Sequence, residues 1–270
     1  MSAEAYHRAE GLSRSMIEDI IPPFSTPLHF HAAHIAKTAP REETPAMRLG
    51  TLTHRFILEP ETTECAFHIK PKGMSFSTKD GKEWRASRSN LPIISEDDAD
   101  AIFGMRDAVW ASAEARQFLE GARTEQSLFA LDSWGTLRKA RLDLLPAGGN
   151  ILADLKTCQT CEERELSKQV DKLGYNRQAA YTLEICRLLD LPFKLWSIIC
   201  VESSPPYDVV VWPLDQAAVA VGRRECEAAV QTVRHCEETG IWPGRAAGLP
   251  PLRERFLTLP SWRQRELDNA

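Results

Sequence analysis

The chain has no run approaching the roughly 18 apolar residues that a membrane-spanning helix needs. Its first residues, Met1 to His7, lack a basic segment followed by an apolar one, so a soluble cytoplasmic protein is expected. Positive charge is not in excess either. The net charge is −5, and any contact with nucleic acid must therefore come from local pattern. Internal repeats and low-complexity tracts are absent, which excludes solenoids and arrays. The seven cysteines (Cys65, Cys158, Cys161, Cys186, Cys200, Cys226 and Cys236) are odd in number and scattered, several among apolar residues. That pattern fits reduced thiols and not a disulfide framework. Cys158-Gln159-Thr160-Cys161 has no second Cys-x-x-Cys or His-x-x-x-His to complete it, so neither zinc nor an iron-sulfur cluster is expected there.

What is present is enough apolar material for a full core, 43% of 270 residues, and one elaborated domain is the natural reading. The stretch Ile151 to Thr157 sets Asp154 and Lys156 two apart in an apolar, strand-like run. In a strand these two share a face. Before it, across Pro146-Ala147-Gly148-Gly149-Asn150, a second strand-like run from Thr136 to Leu145 offers Asp143. An antiparallel pair joined by that turn brings the two acids together. Close carboxylates repel, which points to a divalent cation that relieves the repulsion and a lysine that handles a nearby anion or water. Phosphodiester hydrolysis uses those parts. An Asp-x-Lys at a strand end is also a common surface pair.

Along the chain, residues 12 to 37 read as two short helices broken by Pro22-Pro23, with Ser13 or Ser15 capping the first and Ser25 or Thr26 the second. Met47 to Leu58 has helical spacing and closes at Glu59-Pro60, with His54 beside its apolar face. A strand-like Ala66 to Lys70 leads into a basic cluster, Lys70, Lys72, Lys79, Lys82, Arg85 and Arg88, against Asp80 and Glu83. That cluster suits a phosphate backbone or a solvated loop equally. Ser95 to Asp98 is a capping box opening a long helix. Thr124 to Leu131 reads as a strand that places Glu125 near the same site, and Asp132 to Gly135 as a turn. Residues 162 to 190 read as mostly helix with Arg164, Lys168, Lys172 and Arg177 forming a basic stripe. Strands at Phe193 to Val201 and Tyr207 to Trp212 and a helix over 214 to 239 ending near Gly240 follow, then a Pro-rich arm.

The order helix, three strands, helix, two strands, helix, with Glu125, Asp143 and Asp154-Leu155-Lys156 on the three strands, resembles the PD-(D/E)xK nuclease superfamily. Gln178-Ala179-Ala180-Tyr181 adds the Gln-x-x-Tyr of its RecB and lambda-exonuclease branch. Gly50 to His54, Arg138 to Asp143, Trp242-Pro243 and Leu257 to Trp262 are similar to the C-terminal nuclease of exonuclease VIII (RecE). The resemblance implies an α/β, restriction-endonuclease-like core with a central mixed sheet flanked by helices and an N-terminal helical region. It divides the single domain into a part at 1–94 carrying His54, a nuclease core at 95–242 and an arm at 243–270.

By the same resemblance, Asp143, Asp154, the Leu155 carbonyl and His54 are expected to bind metal, with Glu125 as an outer ligand. Lys156 is expected to orient the attacking water, and Gln178 and Tyr181 to hold DNA or the metal's waters. Lys79, Lys82, Arg85, Arg88, Arg138, Arg141, Lys172 and Arg177 are the expected DNA contacts. The implied activity is a 5′-to-3′ exodeoxyribonuclease, dependent on magnesium with manganese as a substitute, acting on linear duplex ends in phage-type recombination. A ring-shaped homo-oligomer, a trimer or tetramer, and a single-strand annealing partner go with it; no membrane partner is expected. The alternatives are another nuclease of this superfamily, an endonuclease or single-strand nuclease, or a non-catalytic DNA-binding module.

Overall fold

Strands Arg123–Leu131 (β4), Leu137–Leu145 (β5) and Ile151–Cys158 (β6) follow one another in the chain and pair in that order. A computed structural model describes residues 1–21, 25–39, 45–59, 67–88, 91–258 and 263, and within these the helix side chains of 45–49 are not described. The Pro22-Pro23 break, the Pro60 stop, Cys65, Ala66, the side chains of Met47 and Leu49, and Leu259 to Trp262 lie outside the described residues.

Ahead of the sheet come Ala3–Arg8 (α1), Leu12–Ser13 (β1), Arg14–Glu18 (α2), Pro27–Phe30 (α3) and Pro45–Leu58 (α4). They continue with His68–Ile69 (β2), Lys79–Ala86 (α5), Ile93–Ile94 (β3), Glu96–Ala111 (α6) and Ala113–Leu119 (α7). After β6 follow Glu163–Lys172 (α8), Tyr175–Leu188 (α9), Leu195–Glu202 (β7), Val209–Pro213 (β8) and Gln216–Thr239 (α10). Among the described residues the main sheet runs β1-β5-β6-β7-β8, with β4 on the other edge of β5. The sheet is mixed: β4–β5, β5–β6 and β7–β8 are antiparallel, while β1–β5 and β6–β7 are parallel.

Local signals explain most boundaries. The Ser95 hydroxyl accepts from Asp98 N–H and the Asp98 carboxylate accepts from Ser95 N–H, a reciprocal cap on α6 worth about 1 kcal/mol. Ser13 caps α2 through its side chain, whereas Thr26 precedes α3 without a side-chain cap bond. The expected helix over 162–190 is two helices, because Gly174 takes φ +67 between α8 and α9, a conformation glycine adopts without steric cost. The strand expected at Ala66 to Lys70 is reduced to the two residues of β2, paired in parallel with β3.

Both faces of the sheet are covered. On one, Leu152, Trp196, Ile198 and Cys200 pack against Ala179, Ala180, Leu183 and Cys186 of α9. On the other, Leu144, Ala153, Leu155 and Ile199 meet Ile57 and Leu58 of α4 and Met105 and Val109 of α6. Helix α10 lies against α9 so closely that a Cβ on Gly222 would fall 2.4 Å from the Asn176 carbonyl oxygen. The N-terminal segment is tied in by Lys139, whose ammonium donates to the carbonyls of Tyr6 and Ala9 at the end of α1. Among the described residues no helix is long and apolar enough to cross a membrane.

Candidate active site

Along one edge of β5, β1 pairs at Arg138 and Lys139, and β6 pairs at Leu144 with Ala153. The antiparallel register then sets Asp143 across from Asp154, one step beyond that last pair. Past it, the Leu155 N–H donates to Asp143 Oδ2 at 3.3 Å. A side chain thus stands where a ladder carbonyl would, and the acids occupy the gap.

On the opposite edge, Thr124 pairs with Leu144 and Gln126 with Leu142, but Glu125 between them has φ +54 and no pairing with Asp143. A non-glycine residue held there stores of order 1–3 kcal/mol of strain, and such positions concentrate at functional sites.

Five side chains meet at this point. His54 Nδ1 of α4 lies 3.4 Å from Asp143 Oδ2, each side chain keeping about a fifth of its surface open, 22% and 20%. Asp154 is nearly enclosed, with 4% of its side chain exposed; Lys156 Nζ stands 2.5 Å from its Oδ2. Gln178 Nε2 of α9 donates to Asp154 Oδ1 at 2.6 Å. The Lys156 ammonium also sits 5.1 Å from the centroid of the Tyr175 ring. A cleft of about 1020 Å³ opens beside His54, lined also by Thr51, Glu125, Gln126 and Arg141.

The electrostatics separate the two acids. Burial works against a charged Asp143, but the neighbouring His54 and Lys156 and the Leu155 N–H outweigh it and hold its pKa below the usual carboxylate range. At Asp154 burial dominates, and with the charge on Asp143 it raises the pKa against the pull of Lys156. Burial also disfavours the Lys156 ammonium, yet the two carboxylates more than compensate and raise its pKa. His54 follows the same pattern: burial opposes its charge, and Asp143 overrides it to raise the pKa. One acid stays ionised while the other resists ionisation, the behaviour of two carboxylates forced together.

Among the described residues no group of three or more His, Cys, Asp or Glu side chains is gathered as a ready metal cage. The donors at hand do fit a hard divalent cation, which takes carboxylate and carbonyl oxygens. Asp154 Oδ2 is buried and faces only the Lys156 ammonium, 2.5 Å away, so a cation bound there would share that oxygen with the Lys156 charge. Asp143, Asp154 and the Leu155 carbonyl would hold such an ion, with His54 at the open side.

Several expected site residues stand elsewhere. Tyr181 is buried; its hydroxyl donates to the Leu12 carbonyl at 2.6 Å, so it fastens β1 to α9 and does not reach DNA or a metal's waters. Glu125 turns to Arg141, whose Nε lies 2.5 Å away, and so lines the cleft without joining the acid pair. Arg138 is no DNA contact: it forms a fully enclosed ion pair with Asp132, Nη2 to Oδ2 at 2.8 Å. Arg177 is engaged by Glu18 and Glu225. Arg141 does line the cleft, and Lys79, Lys82, Arg85, Arg88 and Lys172 are exposed. Tyr175 beneath Lys156 was not among the sequence candidates. Its signal was its place three residues before Gln178 on one helix, a spacing that sets both near one face.

A solved structure of a candidate exonuclease from Eubacterium rectale overlays with a TM-score of 0.66 at 12% identity, covering 96% of this chain and 95% of that one. That likeness shows a shared fold. An alkaline exonuclease from Laribacter hongkongensis gives a TM-score of 0.43 at 15% identity, with coverage of 88% and 95%, an overlap too loose to bear on the fold. No curated protein sequence matches the chain. The mixed sheet, the acids facing each other across its middle strands and the Asp-x-Lys of β6 agree with the family match over residues 13–253, and the chain belongs to the PDDEXK-like domain of unknown function (DUF3799) family.

Proposed function

We propose that the protein is a divalent-metal-dependent deoxyribonuclease, and specifically a magnesium-dependent exonuclease that degrades linear duplex DNA in the 5′-to-3′ direction during recombination by strand annealing. The observation that carries the nuclease reading is the convergence of Asp143, Asp154, Lys156 and Gln178 beside an open cleft. The exonuclease part is supported by the motif resemblance and by the name of the Eubacterium rectale neighbour.

A bound divalent cation polarises a phosphodiester oxygen and lowers the pKa of water. The protein's own groups do the rest. Asp143 and the Leu155 carbonyl would present oxygens from the neighbouring strands β5 and β6, and Gln178 fixes the rotation of Asp154 by holding Oδ1. Lys156 remains an ammonium, because two carboxylates raise its pKa, and so orients a water oxygen or steadies negative charge on the phosphate. Arg141 on the cleft wall is paired with Glu125, and a DNA phosphate reaching it would compete with that carboxylate.

The decisive experiment compares end-labelled linear duplex with a covalently closed circle, with magnesium and with chelator. We expect metal-dependent release from the 5′ end and an intact circle. Equal cutting of the circle would make the protein an endonuclease, and no cleavage in any metal would leave a DNA-binding module. The same resemblance supports a ring-shaped trimer or tetramer working with a single-strand annealing protein. A monomer by light scattering, unchanged when DNA is added, would overturn the ring.

A further inference from the structure

Residues 70–88 carry a surface that the acid cluster does not use. Six of them are basic and two acidic, in a chain whose net charge is −5, so this is a local concentration and not general basicity. Thr78 caps α5 through its side chain. A Cβ on Gly81 would fall 2.0 Å from the Ser75 carbonyl oxygen. Only glycine permits that approach, which holds the 75–78 loop beneath α5 and sets Phe76 against Trp84. The two rings lie nearly parallel, 21° apart with centroids at 6.3 Å.

Cations surround this pair. The Arg88 guanidinium lies 4.6 Å from the Trp84 ring centroid, and Arg85 and Lys70 lie 5.4 and 5.5 Å from that of Phe76. Phe76 and Trp84 are half-buried, while Lys72, Lys79, Lys82, Arg85 and Arg88 are exposed. Lys79 meets Glu83 only at 3.9 Å on an open surface, a contact too weak to withhold it from another anion. The unit is anchored by Phe67, whose ring stacks on Phe56 at 5.0 Å and 29°. Phe56 lies two residues from His54 on α4, so the basic unit is attached to the helix that walls the cleft.

Duplex DNA presents phosphates outward and closes its base faces, so it would use the cations and leave the rings idle. A single strand offers both phosphates and open base faces, and interleaved aromatic and basic side chains are what bind it. We propose that Phe76, Trp84 and the cations around them form a binding site for single-stranded DNA, distinct from the acid cluster. An unstacked base takes the Trp84 face, and Arg88 moves from that face to a phosphate. The choice of DNA rests on the nuclease reading; the preference for a single strand rests on the rings.

The test measures binding of a labelled oligothymidylate and of a duplex of equal length by anisotropy, in chelator so that nothing is cut. Trp84→Ala is expected to weaken the single strand about tenfold and the duplex less than about twofold, while Trp84→Phe keeps most of the single-strand affinity. Arg85→Gln with Arg88→Gln is expected to weaken both ligands and flatten their salt dependence. Irradiation of the wild-type protein with a bromodeoxyuridine strand is expected to place the crosslink on Trp84 or Phe76, a result that needs no variant to fold. Equal losses for strand and duplex in Trp84→Ala, or crosslinks mapping elsewhere, would overturn the site. A wild-type protein that binds the strand but cleaves nothing in magnesium would sink the nuclease reading and leave this one standing.

Discussion

Gln178 Nε2 lies 2.6 Å from Asp154 Oδ1 and thereby decides which oxygen of that acid faces Lys156. Its bond to the acid cluster orients a side chain. Gln178→Ala is expected to raise the magnesium concentration for half-maximal activity roughly 10- to 100-fold, the usual cost of removing a partner that orients a metal ligand. The fold should be unaffected. Metal titrations of cleavage beside a thermal melt check this; an unchanged half-saturation would mean that Asp154 keeps its rotamer without help.

Asp154→Asn and Lys156→Ala should each lower cleavage by roughly 10²- to 10³-fold or more, since the first removes a carboxylate that would hold the cation and the second a cation that would steady charge on the phosphate. DNA binding should survive, because the exposed basic surface is intact. Cleavage near the parent rate in either variant would remove the proposed centre.

His54→Ala distinguishes a ligand from a packing residue. Asp143 raises the pKa of His54, so without a cation the imidazole holds its proton above the usual histidine range, and a cation must displace that proton to bind there. The requirement for metal should therefore ease as pH rises through neutrality in the parent, and this dependence should flatten in the variant. Imidazole suits manganese better than magnesium, so the loss should be larger with manganese. The same half-saturation for both ions in parent and variant, with a lower melting temperature, would assign His54 to packing.

Asp132 and Arg138 give a stability prediction independent of activity. Burial disfavours the charge on Asp132, but the N–H groups of Thr136 and Trp134 and the Arg138 guanidinium outweigh it and lower its pKa. A depressed carboxylate contributes stability above its unfolded value, and that contribution is lost as pH falls through the folded one. Asp132→Asn would strand a buried guanidinium at a cost of roughly 3–5 kcal/mol, or about 10 °C in melting temperature. The deficit should be present at neutral pH and shrink only as pH falls below the ordinary carboxylate range, where the parent's own Asp132 protonates. A deficit that stayed constant into acid would locate the effect elsewhere.

The sheet was legible because alternation and turn residues mark β4, β5 and β6, and because Ser95 and Asp98 announce α6. The acid pair followed from the hairpin register alone. Parity along β5 separates Arg138 from Arg141, yet both faces of this sheet are covered, so parity could not say which arginine meets the cleft and which is buried. Glu125 escaped the reading for a different reason: its φ of +54 breaks the alternation, and no side-chain pattern reports a backbone turned that way. The split at Gly174 was hidden because helical residues continue on both sides of it. Tyr181 lies one turn from Gln178, and only the position of β1, more than 160 residues earlier, explains why one reaches the acids and the other a carbonyl.

The bond between Tyr181 and Leu12 spans 169 positions, and the gap that holds the acids is bounded by β1 on one side. During synthesis, β5 and β6 leave the ribosome before α9 exists. Until Gln178 and Tyr181 emerge, Asp154 has no orienting amide, and β1 lacks the hydroxyl that bonds its Leu12 carbonyl. Contacts of such long range form late and slow folding. A chain cut short before α9 would carry both acids and the lysine yet lack the amide that orients Asp154, so on the nuclease reading a truncated product is expected to cleave poorly.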